Sequence, residues 1–213
     1  NGRACRFKPS ETKENPDGTI GFTVKVQGRV TAGVRGMKLK DGDSVVGMIA
    51  TSNEDTHVLT LSKYGMAKRS RLGDGEMHDI EPAVKDEKTG KNKQYRDGYR
   101  KTNRGAGGVA TMKLDEVHED EIVRVHTIPD LGDQLFILTG KGMMIRVRAD
   151  QTKETSGKST KGTRVMELRD KEKGGFVDEI IFTARLPAEL IDEEDEFDSL
   201  DTNQDGVIDR EEF

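Results

Sequence analysis

The chain has 213 residues, is 35% charged and 32% hydrophobic, and has a mean hydropathy of -0.75 with no Trp. That composition excludes a thick core of buried helices, and no apolar run reaches the length of a membrane span; the 24 glycines suit thin sheets of short strands between many turns. The net charge of -5 conceals a division: residues 187–213 carry twelve Asp/Glu and one Arg, a balance of -11, which leaves +6 on residues 1–186. A basic body attracts polyanions, whereas an acidic tail repels or imitates them.

In chain order, "NGRACRF" (1–7) reads as the interior of a strand and has no initiator Met, so the chain is expected to be a segment of a longer protein. Its single Cys5 excludes an internal disulfide and fits a reducing, cytoplasmic setting. A Gly-led strand, "GVRGMKL" (33–39), follows, then an acidic turn and the strand "VVGM" (45–48). "HVLTLS" (57–62) alternates as a half-buried strand does, and a glycine turn connects it to the basic strand of "KYGMAKRS" (63–70). "EPAVKDEKTGKNKQY" (81–95) is polar throughout and reads as a surface insertion.

Both phrases then return. "GVATMKL" (108–114) and "GTRVMEL" (162–168) repeat the Gly-led strand, and "QLFILT" (134–139) leads into "GKGMMIRV" (140–147), which repeats the basic one. The Gly-led phrases begin 75 and then 54 residues apart, the longer interval holding the insertion. Four short strands per unit at such a period point to propeller-like blades rather than helical solenoids. The expected fold is all-β, about three pinwheel or propeller-like blades over residues 1–186, forming a partial ring with open edges, followed by a short helical tail over 187–213.

In that tail Pro187 can open a helix, and Leu190, Ile191, Phe197 and Leu200 recur at helical spacing. "DTNQDGVIDREE" (201–212) then fills a twelve-residue EF-hand register. Asp201, Asn203 and Asp205 take positions 1, 3 and 5, and Gly206 makes the sharp turn at 6. Val207 offers its carbonyl at 7, Asp209 sits at 9, and Glu212 supplies the bidentate carboxylate at 12. The expected ligand is calcium.

At "VTAGVRGMKLKDGDSVVGM" (30–48) the body resembles the C-terminal domain of the DNA gyrase A protein, which is a β-pinwheel of the type IIA topoisomerase family. "LSKYGMAKRS", "LTGKGMMIRV" and "GKSTKGTRVMEL" are similar to that family's basic hairpins and last blade, and the likeness covers about residues 1–185. The resemblance implies a segment that binds and wraps double-stranded DNA. Its implied assembly contains the gyrase B protein and a second gyrase A protein, and uses ATP and magnesium bound elsewhere for negative supercoiling. Two features depart from the family pattern: the 81–95 insertion and the calcium loop. The family's Gln/Arg/Gly-rich box belongs upstream, and "TNRGAGGV" (102–109) is only a degenerate echo of it. The topoisomerase IV equivalent therefore stays open, as does a calcium-dependent protein-interaction module that uses the blades without DNA.

Wrapping needs cations spaced to follow phosphates, and glycines beside them that let backbone N–H groups approach closely. The cations that repeat with the phrases are Arg35 and Lys38; Lys68 and Arg69; Arg100, Lys101 and Arg104; Lys141 and Arg146; and Lys158, Lys161 and Arg164. Catalysis belongs elsewhere in the expected enzyme. Tyr64, Tyr95 and Tyr99 lack the Arg-Tyr order of a cleaving tyrosine, and His57, His78, His118 and His126 have no nucleophile or metal-spaced partner. "RGAGGV" lacks the G-K-[ST] ending of a phosphate loop.

Overall fold

A computed structural model describes residues 2–10, 12–14, 16–18, 20–155, 160–170 and 174–191. Thirteen strands account for its regular structure: β1 (Arg3–Ala4), β2 (Thr12–Glu14), β3 (Ile20–Phe22), β4 (His57–Ser62), β5 (Met66–Arg71), β6 (Met77–Asp79), β7 (Gln94–Arg96), β8 (Val109–Ala110), β9 (Ile122–Ile128), β10 (Gln134–Thr139), β11 (Met144–Arg148), β12 (Thr163–Arg164) and β13 (Ile180–Leu186). Among the described residues there is no α-helix, only single 3-10 turns at Ala149–Gln151 and Ala188–Leu190. The all-β expectation therefore holds for the body.

Two sheets carry the core and repeat one plan. In the sheet ordered β12-β5-β4-β9, β4 lies between a hairpin partner, β5, and the strand that closes its own unit, β9. In the sheet ordered β11-β10-β13, β10 holds the same place between β11 and β13. Even the irregularity repeats: the pairing register shifts between Leu61 and Ser62 against β9, and between Leu138 and Thr139 against β13. Each hairpin turns on a glycine in the left-handed region, Gly65 at φ 84° and Gly142 at φ 81°, where a side chain would be strained.

The two sheets share one hydrophobic cluster. Leu59, Leu61, Ala67 and Ile128 come from the first sheet, and Leu135, Ile137 and Ile180 from the second. Ala149 and Leu168 fill between them. Every residue of β4 except His57 is buried, because β4 is a central strand covered on both faces. β10 instead alternates buried and half-buried residues. The two sheets also meet where β9 and β13 run together, with His126 Nε2 2.7 Å from Thr183 Oγ1. At the end of β13 the buried carboxylate of Asp133 accepts from Arg185 Nη1 at 2.8 Å and Ala188 N at 3.0 Å.

Pairing crosses between units. β8, which belongs to the second Gly-led phrase, pairs with β1 (Arg3↔Ala110, Ala4↔Val109). β12, from the third Gly-led phrase, pairs with β5 (Thr163↔Ala67, Arg164↔Met66). The second and third Gly-led strands thus each complete the sheet of the unit before their own.

Two strands expected from the sequence do not form. The segments 33–39 and 45–48 lie in a stretch, residues 23–56, that carries no strand, and Val26, Val30, Val45 and Met48 are exposed there. An extended segment becomes a strand only when a neighbour accepts its hydrogen bonds, and residues 33–39 find no such sheet among the described residues. The 81–95 insertion is on the surface as expected. It is a hairpin: β6 pairs with β7, a further bridge joins Lys85 to Asn92, and Asp86 caps the tip through Thr89 N at 2.9 Å. Pro187 precedes only a single 3-10 turn. The rest of the expected tail helix and all six calcium ligands fall in residues 192–213, outside the described residues.

Candidate nucleic-acid interface

The cations singled out in the sequence separate into those tied to named neighbours and those whose side chains lie exposed on the surface. Lys68 and Arg69 are only 3% and 7% exposed, so the expectation that they meet phosphate at the outer end of a blade is corrected. Lys68 Nζ donates to Thr111 O at 2.6 Å, and burial lowers its pKa from the usual lysine value. Arg69 donates from Nε to Thr152 O at 2.9 Å and stands 3.6 Å from Glu154, which also lies 2.8 Å from His57 Nε2. Strand β5 is enclosed between β4 and β12, and cations on it must tie loops down or remain unsatisfied.

Arg104 belongs with them. It is half-buried, and its guanidinium donates to Thr23 O at 2.6 Å and Arg35 O at 2.8 Å. Lys101 lies near two carboxylates, Glu54 at 3.6 Å and Glu76 at 3.9 Å, and Arg164 pairs with Glu167 at 2.5 Å. Two further arginines not anticipated do the same work: Arg6 donates to the carbonyls of Leu72 and Tyr99, both at 2.9 Å, and Arg3 to Gly107 O at 2.8 Å. Arginine suits this because its fork satisfies several carbonyls in loops that lack a strand partner.

The second group is exposed: Arg35, Lys38, Arg100, Lys141, Arg146 and Lys161. Lys38 lines a cleft of about 420 Å³ together with Arg3, Met37, Leu39, Lys40 and Asp43. Lys40 went unmarked in the sequence, although "MKLKD" places it two residues beyond Lys38, on the same side of an extended chain. Lys141 sits in the β10–β11 turn, with its backbone N–H donating to Asp178 Oδ1 at 3.1 Å. Lys158 lies outside the described residues.

No His, Cys, Asp and Glu cluster that could hold a metal occurs among the described residues, and no helix there is long and apolar enough to cross a membrane. What these surfaces offer is dispersed positive charge, which can neutralise phosphates along a backbone, contacts that carry no sequence information directly.

Comparison with known proteins gives this charge a context. A family model for the DNA gyrase C-terminal domain, β-propeller, matches three separate segments, residues 23–52, 97–129 and 133–173. The first contains the unpaired phrase 33–39. The DNA gyrase A protein of Staphylococcus aureus is 27% identical over 186 residues, which is 87% of this chain and 17% of that protein. The DNA gyrase A protein of Campylobacter jejuni is 30% identical over 173 residues, 81% of this chain and 16% of its own length. The chain therefore spans only about a sixth of these relatives. Among solved structures, the C-terminal domain of DNA topoisomerase IV superposes with a TM-score of 0.58 at 19% identity, covering 83% of this chain and 44% of that one. That likeness concerns the fold alone.

Proposed function

We propose that this chain, which belongs to the family of DNA gyrase C-terminal β-propeller domains, binds duplex DNA and wraps it around its basic body. The observation that carries this is the group of exposed cations, Arg35, Lys38, Arg100, Lys141, Arg146 and Lys161, that the fold does not enclose. Contacts from such side chains go to phosphates, so affinity depends on counterion release and on how readily the DNA bends. In a complete enzyme the segment would present wrapped DNA to a strand-passage centre built with the gyrase B protein and a second gyrase A protein, in the cytoplasm. Cleavage and ATP hydrolysis would take place outside this chain.

Binding to a duplex fragment measured across a salt series tests the proposal. A steep fall in affinity with salt and little dependence on sequence are expected. An affinity unchanged between low and physiological ionic strength overturns wrapping.

The tail is proposed to bind calcium through Asp201, Asn203, Asp205, Asp209 and Glu212 with the carbonyl of Val207, on the strength of the complete ligand spacing. Calorimetric titration with calcium should show one site that Asp201→Ala and Glu212→Gln abolish. Heats indistinguishable from dilution would refute it.

A further inference from the structure

The hairpin of β6 and β7 falls between two of the segments that the family model matches, residues 23–52 and 97–129, so the family likeness assigns it no role. Its base is packed closely onto the body. Gly73 and Gly98 stand at φ 61° and 68°, and a Cβ on Gly98 would run into Leu72 O, as one on Gly73 would into Asp97 O. The two sides of the base are bonded to each other by Tyr99 N on Leu72 O at 2.9 Å and Gly75 N on Asp97 O at 2.8 Å. Arg96 Nη1 adds a bond to Gly75 O at 2.6 Å, and Arg6 Nη1 spans the carbonyls of Leu72 and Tyr99. The hairpin therefore projects from the body in a fixed direction.

Beyond the base its two faces differ in chemistry. The pairing is His78↔Tyr95 and Asp79↔Gln94, and it continues toward the tip through Lys93 N on Val84 O at 2.7 Å, the Lys85–Asn92 bridge, and Asp86 N on Lys91 O at 2.8 Å. Because side chains alternate, Lys91, Lys93 and Tyr95 share one face with His78, Val84 and Asp86, while Lys85, Asn92 and Gln94 share the other. Tyr95 is 51% exposed, with its ring 5.7 Å from that of His78. The carboxylate on this face is turned into the tip: Asp86 Oδ1 accepts from Lys88 N at 3.1 Å and from the backbone and hydroxyl of Thr89, both at 2.9 Å. On the opposite face Asp79 accepts from Gln94 Nε2 at 2.9 Å. From residue 85 to 96 the ribbon carries Lys85, Lys88, Lys91, Lys93 and Arg96 against Asp86 and Glu87.

We propose that the Lys91–Lys93–Tyr95 face of this hairpin is a second DNA contact, an arm that binds the phosphates of duplex DNA beside the path on the basic body; this rests on the DNA-wrapping reading. Residues two apart on an extended strand lie about 6.5–7 Å from each other, so Lys91 and Lys93 each neutralise a phosphate of their own. Tyr95 continues the line with a hydroxyl that donates to a phosphate or sugar oxygen. The fixed base means that little ordering of the arm opposes the contact.

The test measures binding of the 213-residue chain to a duplex fragment across a salt series. Lys91→Ala with Lys93→Ala should leave the urea midpoint in place and flatten the slope of log affinity against log salt by about 2. Lys85→Ala, which removes a cation from the opposite face, should leave that slope as it is. Bound DNA should also protect Lys91 and Lys93 from amine acylation several-fold more than Lys85. An unaltered slope in the double variant, or equal labelling of the three lysines with DNA bound, overturns the arm and leaves wrapping by the body standing. Flattening by Lys85→Ala as large as that per lysine of the pair overturns the assignment of the contact to one face. A slope already flat in the unaltered chain overturns arm and wrapping together.

Discussion

Strands β5 and β11 descend from one sequence phrase and occupy the same position in two sheets of the same plan, yet their cations meet opposite fates. On β5, flanked by β4 and β12, Lys68 and Arg69 are enclosed and bind the carbonyls of Thr111 and Thr152. On β11, at a sheet edge, Arg146 is exposed, and Lys141 before it stands in solvent. Whether a basic strand supplies fold stability or surface charge is decided by the arrival of a Gly-led strand from the following unit. Composition cannot show that, because the deciding residues lie far along the chain.

The largest effect should come from asking whether the two sheets are separate at all. Leu61 of β4 and Ile137 of β10 are both fully buried in the one shared cluster. Replacing Ile137 by Ala should cost about 2–5 kcal/mol and lower the urea midpoint of both sheets together. Tyr64, beside β4, and hydrogen exchange in β10 report on the two sides. A midpoint that falls for β10 alone would make each sheet its own folding unit, and the shared core would then be contact without cooperation.

Next in size is the contrast between the cations themselves. Lys68→Ala or Arg69→Ala leaves a buried carbonyl without its donor and should cost about 1–3 kcal/mol of stability. At temperatures where the variants remain folded, their DNA affinity should keep the salt slope of the unaltered chain. Lys141→Ala with Arg146→Ala should do the reverse: stability should stay within about 0.5 kcal/mol, and the slope of log affinity against log salt should flatten by about 2. Urea melts and a salt series on the same set of variants decide it. If Lys68→Ala flattens the slope without loss of stability, the enclosed cation is after all within reach of DNA.

Much of this architecture was legible because repetition is a local signal. The phrases at 63–70 and 140–147 and at 108–114 and 162–168 located β5, β11, β8 and β12 from the sequence, and the polar run 81–95 located the surface hairpin. Pairing between units was not legible, since a strand's neighbour is set by topology and two-residue strands such as β12 leave no periodicity to read. Residues 33–39 and 45–48 failed for the same reason from the other direction: their pattern is that of strands, but hydrogen bonds must come from elsewhere. Arg35, Lys38 and Arg146 lie at the surface because no strand among the described residues covers the segments that carry them. Lys68 and Arg69 were misplaced because a basic pair inside a strand looks identical whether or not the edge is covered.

The smallest predicted effect sharpens the comparison where the two sheets touch. His126 on β9 lies 2.7 Å from Thr183 Oγ1 on β13, and its pKa is lowered from 6.5 mainly by burial, with Arg124 and Arg185 adding repulsion. The folded chain therefore resists protonating this ring, while the unfolded chain takes up its proton at the ordinary value. Between the two pKa values the unfolded state binds more protons, so stability there rises with pH. The contribution is complete above about 6.5 and is lost as pH falls through the folded value. Urea midpoints between about pH 7.5 and about pH 5 should thus decline, and His126→Gln, which keeps a polar group for Thr183, should flatten the decline. The remaining histidines stand beside carboxylates, His57 with Glu154, His78 with Asp74 and His118 with Asp115. A decline that survives His126→Gln in full would place the acid-sensitive contact outside the β9–β13 junction.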